Sequence, residues 1–251
     1  VVAVGDIADP NPEWHKVKKM ATGTEWDFDF RQLYLTRTTD ISRKDFAPPT
    51  VIVSRDETCG MIFHRDLRIG PDGDAHVLYV ERNIWHRSVR DAFFPEHQIV
   101  QSIGYCRVRN GAVTARRTLM SAVERADRRV SALANRFWIL GDTCFESDEP
   151  MPSSPVFHET PDGRLFVICC ATTTVFAGHA TYRNLIRRIL PEDEGTFRPL
   201  DMNCSLVSFF SASRRNGSVP SDFADLYGYD LPYENDNMEE VRNLNYARIR
   251  V

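Results

Sequence analysis

No apolar run in this chain approaches the ~20 residues that a membrane-crossing helix needs, and no signal-peptide pattern is present. Neither sign of charge dominates. Lys and Arg number 31 against 35 Asp and Glu, a net charge of −4, so nothing global points to nucleic acid. A phosphate-cradling glycine loop, a dinucleotide fingerprint, a nucleophile elbow and a metalloprotease helix motif are all missing, and with them the reaction classes those motifs announce. Helical periodicity is scarce. Only residues 122–134, with apolar side chains at Ala122, Val123, Ala126, Val130 and Leu133, carry a loose helical spacing. Cysteine is sparse too, at six residues in unlike settings. Cys106, Cys169 and Cys170 sit inside apparent strands as buried thiols, and neighbours on a strand point to opposite faces and pair poorly with each other. Cysteine use therefore leaves the redox compartment open.

What remains is an ordinary globular composition, 42% hydrophobic and 26% charged, in 251 residues, enough for one domain with a large core. Its strongest signal lies in two matching turns. Pro71-Asp72-Gly73 separates two strand-like runs, and Pro161-Asp162-Gly163 does the same. Pro fixes φ and Gly supplies a positive φ, so each stretch reads as a β-hairpin. Asn110-Gly111 marks a third.

The strands predicted around these turns are 1–4, 30–37, 50–53, 64–69, 75–81, 102–108 and 113–119. They continue with 137–140, 155–158, 165–171, 184–190, 196–200, 206–212, 223–227 and 245–251. Grouped by fours, they give two full antiparallel units and two partial ones. The expected fold is all-β, a single domain over residues 1–251 that forms a β-propeller of four-stranded blades. Because propellers close with about four to eight blades, an incomplete propeller lacking N-terminal blades is expected. Tight turns fall on one face of such a disc. The long connections 54–63, 82–101, 172–183 and 228–243 fall on the other, which nominates that face for function.

Beyond the hairpins, Leu33-Tyr34-Leu35-Thr36-Arg37-Thr38-Thr39-Asp40 running to Phe46, and the C-terminal Tyr246-Ala247-Arg248-Ile249, resemble the BNR or Asp-box sialidase-like propellers. Thr38 and Asp40 match the Asp-box pattern Ser/Thr-x-Asp-x-Gly-x-Thr-Trp; Ser42 replaces its Gly, and Phe46 arrives one position late. The resemblance covers most of the chain and implies a propeller with a carbohydrate ligand. Within the superfamily it is nearest to bacterial polysaccharide-degrading proteins, among them the propeller-type ulvan lyases. It also implies that Thr38–Phe46 is a structural turn on the tight-turn face.

The candidate site residues lie on or near the long-loop face. His64 and Asp66 open an inner strand and, by the period of two, share one side of it; the competing role for both is bonding to loop backbone. The connection from Arg82 to Phe94 interleaves Trp85, His86, Arg87 and Arg90 with Phe93 and Phe94. Aromatic faces stack on sugar rings and guanidinium forks bind carboxylates, although Phe93 or Phe94 could simply anchor the loop. β-Elimination from a uronate needs a base and a cation for the developing enolate. His64 and Tyr105 with Arg90 are the catalytic candidates; Tyr105 as a core residue is the competing reading. Asp66, Trp85, His86, Arg87 and Arg136 are the substrate-binding candidates. Hydrolysis would instead draw on Asp66, Glu81, Asp91, Glu146 or Asp148, with no pair privileged by spacing.

Cys59, His64, His76 and His86 have no diagnostic metal-ligand spacing, and His76 alternates with Leu78 and Val80 as a core histidine would. No cofactor is expected, a structural zinc or calcium being the alternative. The expected partner is an acidic polysaccharide or oligosaccharide, cleaved by elimination in preference to sialidase-like hydrolysis, with a non-catalytic sugar-binding scaffold as the other class. Neither nucleic acid nor membrane is expected as a partner, and the expected location is secreted or periplasmic.

Overall fold

The computed structural model describes residues 1–23, 28–124, 149–176, 179–191, 195–206, 208–211, 220–230 and 243–251. The chain is all-β with two short helices. Its elements are β1 (Val2–Ala8), α1 (Pro12–Thr22), β2 (Phe28–Leu35), β3 (Thr50–Ser54), β4 (Met61–Ile69), β5 (Ala75–Arg82), α2 (Arg87–Phe93), β6 (Val100–Arg109) and β7 (Ala112–Val123). There follow β8 (Met151–Glu159), β9 (Leu165–Phe176), β10 (His179–Leu190), β11 (Arg198–Pro199), β12 (Ser208–Ser211), β13 (Phe223–Asp230) and β14 (Asn243–Arg250). Each sheet is an antiparallel run of consecutive strands: β1-β2-β3, β4-β5-β6-β7, β8-β9-β10-β11 and β12-β13-β14. The chain divides into two compact units, Val1–Ser147 and Asp148–Val251, with two sheets in each.

The hairpins form for the reasons visible in their turns. Gly73 N–H donates to the Gly70 carbonyl at 3.0 Å, and Gly163 N–H donates to the Thr160 carbonyl at 2.9 Å. Both glycines are left-handed, at φ 81° and 82°. In each turn the aspartate accepts from the N–H two residues on, that of the last residue before the returning strand: Asp72 from Asp74 at 3.1 Å and Asp162 from Arg164 at 3.4 Å. Asn110 and Gly111 are both left-handed between β6 and β7, as the two-residue turn requires.

In the first unit the core lies between the two sheets. Leu33, Leu35, Ile52 and Val53 meet Ile62, Val77, Tyr79, Cys106 and Val108, each fully buried aliphatic side chain contributing about 1.5–3 kcal/mol. β5 is buried along its whole length: its middle, Val77 to Val80, is apolar on both faces, and the buried His76, Glu81 and Arg82 towards its ends are met by polar partners. In the second unit Phe166, Ile168, Cys170 and Ile186 meet Leu206, Ala224 and Leu226. Asn184 on β10 holds the segment that leads to β12, donating to the Leu206 carbonyl at 2.9 Å and accepting from its N–H at 2.8 Å.

Three expectations change. Residues 172–183 are not a long connection: β9 and β10 extend to Phe176 and from His179, pairing along most of that length. Ala122 and Val123 belong to β7 rather than to a helix, and the remainder of 125–148, with the strand expected at 137–140, lies outside the described residues. The stretch between β1 and β2, where the sequence shows no helical spacing, holds α1, with Pro12 as its first residue and Gly23 as its cap. Cys106, Cys169, Cys170 and Cys204 are free thiols. Cys169 and Cys170 pair with Leu185 and Asn184 on opposite faces of β9, both buried.

Candidate functional site

α1, α2 and the β3–β4 connection of the first unit gather at one end of its sheets. α1 begins where Asn11 Oδ1 accepts from Glu13 N–H at 2.9 Å and ends at left-handed Gly23. α2 is capped by an imidazole: His86 Nδ1 accepts from Ser88 N–H at 3.1 Å. The two helices touch through Trp14 and Phe94, whose ring centroids are 6.0 Å apart. Half-buried Trp85 lies between them, with Lys18 Nζ 5.7 Å and the His86 ring 5.2 Å from its centroid. Trp85 N–H donates to the Cys59 carbonyl at 2.8 Å, fixing the loop beneath the indole.

Beneath this layer runs a set of ion pairs. Arg31 is fully buried and binds Asp9, Asp56 and the Ala8 carbonyl, while Lys18 holds the other oxygen of Asp9 at 2.9 Å. Arg55 pairs with Glu81 at 2.6 Å, and Glu124 joins Arg82, at 3.0 Å, to Arg87. Cations and carboxylates here are nearly matched, so this layer is a charge-balanced support for the aromatic residues above it. Arg87, expected to bind substrate, is committed to Glu124.

The expected catalytic trio is not brought together. A bulge in β4 leaves Arg65 without an opposite residue, so His64 pairs with Tyr79 and Asp66 with Leu78. Successive residues of β5 face opposite sides; His64 and Asp66 therefore do not share a face, and the period of two fails at the bulge. Tyr105 pairs with Leu78, which puts it on the face opposite His64. His64 is exposed, and partial desolvation of its ring by neighbouring atoms, with the Arg65 charge, lowers its pKa. Asp66 accepts from Leu67 N–H at 2.8 Å. Arg90 is on α2, paired with its neighbour Asp91 at 2.5 Å. Arg136, Glu146 and Asp148 lie outside the described residues.

Tyr105 has another partner. Its hydroxyl is 2.8 Å from His76 Nδ1, with both side chains buried. The Arg117 guanidinium lies 4.8 Å from the Tyr105 ring centroid. Burial, reinforced by the Arg68 charge and opposed by Asp72 and Asp74, pushes His76 down to about 4. Burial raises Tyr105 against the opposing pull of Arg117. A neutral histidine bonded to a protonated phenol is a poor base, and the pair serves to satisfy two polar groups inside the sheet. Reading His76 as a core histidine agrees with this geometry.

On the opposite end, Thr38–Phe46 forms a turn in which Asp40 accepts from Ser42 N–H at 2.9 Å and Lys44 N–H donates to the Asp40 carbonyl at 2.9 Å. Arg37 reaches Asn110 at 3.5 Å, which puts this turn beside the tight β6–β7 hairpin. Among the described residues no group of three or more His, Cys, Asp or Glu could hold a metal ion. No helix among them is long and apolar enough to cross a membrane. Sequence reasoning missed Trp14 and Lys18. The signal that could have found them is the pairing of Asn11-Pro12 with Gly23, start and stop marks around an i, i+4 pair. No family model, curated protein or solved structure matches the chain.

Proposed function

We propose that this chain is a propeller-type protein that binds an acidic, uronate-containing polysaccharide at the α1–α2 end of its first unit, without cleaving it. The observation that carries this reading is Trp85, a half-buried indole with a lysine and an imidazole beside it and a fixed loop below. The indole offers a sugar ring an apolar face, while Lys18, buried and paired with Asp9, and His86, capping α2, hold the ring in place. Four consecutive antiparallel sheets support the propeller, and a secreted or periplasmic location follows from the polysaccharide reading alone.

Elimination is the less supported reading, because His64 and Tyr105 occupy opposite faces of one sheet. Sialidase-like hydrolysis fares no better among the described carboxylates. Glu81 is held by Arg55, Asp91 by Arg90 and Asp66 by backbone.

The test is titration of the whole chain with uronate-rich and neutral polysaccharides, with near-ultraviolet absorbance and reducing ends followed in parallel. Saturable binding of the uronates that Trp85→Ala weakens, with neither product signal, is the expected result. New near-ultraviolet absorbance would establish elimination, and reducing ends without it would establish hydrolysis.

A further inference from the structure

The outer side of an edge strand is a row of unpaired N–H and C=O groups, a template for pairing with another chain unless something blunts it. Most edges of these sheets are blunted. β1, β3, β4, β7 and β8 each pair with their neighbour through a break in register, and β8 also holds Pro152 and Pro155. β11 spans two residues and β12 four. β14 differs from all of them. It pairs with β13 over eight residues in unbroken register, and it contains neither proline nor lysine. Among the described residues no strand lies on its other side. Val251 N–H, just past the strand, donates inward to the Asp222 carbonyl at 2.9 Å. Backbone groups alternate in direction along an antiparallel strand, so those of Leu244, Tyr246, Arg248 and Arg250 point away from β13.

The side chains of these four residues share the exposed face of the sheet. Register sets Phe223, Asp225 and Tyr227 opposite Arg250, Arg248 and Tyr246, and paired residues share a face. Every exposed large apolar side chain described in the second unit lies here: Phe223, Tyr227, Leu244 and Tyr246, the last two 65% and 64% exposed. We infer that β14 is the contact strand of a dimer, pairing antiparallel with β14 of a second copy about a two-fold axis at Ala247. Charge complementarity selects that axis. Centred on Ala247, Tyr246 of one copy lies opposite Arg248 of the other, and Leu244 lies opposite Arg250. Each guanidinium stem then covers an apolar side chain, and no like charges are directly opposed. Moving the axis one residue, to Arg248, would set Arg248 against its own counterpart. Moving it to Tyr246 would leave Arg250 past the end of the opposing strand. Asp225, 3.2 Å from Arg248 Nε, offsets the two Arg248 charges that flank the axis. This surface belongs to the second unit and does not involve Trp85, so it is independent of the polysaccharide reading.

The experiment is analytical ultracentrifugation of the full chain over a range of concentrations, thermal unfolding confirming that each variant is folded. A concentration-dependent dimer is the expected result. Tyr246→Lys sets like charges opposite Arg248 twice in each dimer and should raise the dissociation constant about tenfold. Tyr246→Glu sets opposite charges there and should not raise it. The axis is read by cross-linking. Ala247 meets its own counterpart in a pair without mutual hydrogen bonds, with Cα atoms about 4.5 Å apart, within disulfide range. Under mild oxidation Ala247→Cys should give a symmetric disulfide-linked dimer, whereas Asn245→Cys, opposite Ile249, should behave as wild type does. A monomer at every concentration would overturn the inference, and one whose β14 amides resist hydrogen exchange would show that the chain itself covers this edge. A dimer weakened equally by both Tyr246 variants, or by neither, would also overturn it, as would failure of Ala247→Cys to cross-link.

Discussion

The Tyr79 ring lies directly over Gly104, its partner on β6, in the space a side chain there would need. A Cβ on residue 104 would overlap the phenol carbons and oxygen, and Tyr79 is buried in the core of the first unit with no room to swing away. Gly104→Ala is expected to destabilise the protein by about 1–3 kcal/mol, the usual range for overpacking. Urea unfolding measures it. An unchanged midpoint would mean that the ring moves freely.

His76 gives the fold a pH signature. Its folded pKa of about 4 lies below the ordinary value near 6.5. Between those limits the unfolded chain binds a proton that the folded chain refuses, so the stability from His76 is whole above about pH 6.5. It is lost progressively as pH falls towards about 4 and levels off below. The loss is on the order of 3 kcal/mol. Asp74 and Asp162 are depressed below the usual carboxylate range and act lower on the scale. The diagnostic is therefore the difference between wild type and His76→Gln, which should shrink between pH 6.5 and 4. A constant difference would refute the assignment.

Arg31 and Asp9 form the most buried ion pair of the described residues in the first unit. Arg31→Ala would leave Asp9 with Lys18 alone and should cost about 3–5 kcal/mol. Arg31→Ala combined with Asp9→Asn should cost less than the two single changes added together, because once Arg31 is gone the Asp9 charge no longer has that pair to lose; Lys18 is left without its carboxylate in Asp9→Asn and in the double variant alike. A double-mutant cycle by denaturant unfolding reads the coupling; additive costs would mean that the pair contributes nothing jointly.

His86 positions α2 by its ring nitrogen rather than by touching a ligand. His86→Asn keeps an N-cap acceptor and should preserve uronate binding, whereas His86→Ala should weaken both α2 and binding, at about 0.5–2 kcal/mol for the lost cap. Hydrogen exchange at the Ser88 amide separates the two effects. Equal binding by both variants would assign the imidazole no positioning role.

Asp40 should matter only to stability. Its carboxylate serves the Ser42 amide on the end opposite Trp85, so Asp40→Ala should lower the unfolding midpoint by the equivalent of about 1 kcal/mol. Polysaccharide affinity should stay the same, and a fall in affinity with an unchanged midpoint would contradict this.

The strands were legible wherever turn chemistry bounded them. Pro71-Asp72-Gly73, Pro161-Asp162-Gly163 and Asn110-Gly111 specify local φ values, and local φ values can be read from single residues. α1 escaped because its apolar face is thin, Trp14 and Val17 among lysines, so its end marks resembled a loop. α2 escaped because its cap is a histidine. The candidate site was less legible still. The pairing of Tyr105 with His76 and of Arg87 with Glu124 joins residues 29 and 37 positions apart, and no local pattern encodes which distant charge a side chain will meet. Alternation along β4 failed at one residue.

That residue, Arg65, makes β4 one residue longer than the eight of β5 that it spans. Removing a residue from a strand ordinarily swaps inside for outside along everything that follows. Here the surplus absorbs the loss. Deleting Arg65 would join His64, opposite Tyr79, directly to Asp66, opposite Leu78, and every pairing on both sides would keep its partner. The strand thus carries a spare link, a point inside a sheet where the chain can shorten by one without its reading frame of faces being lost.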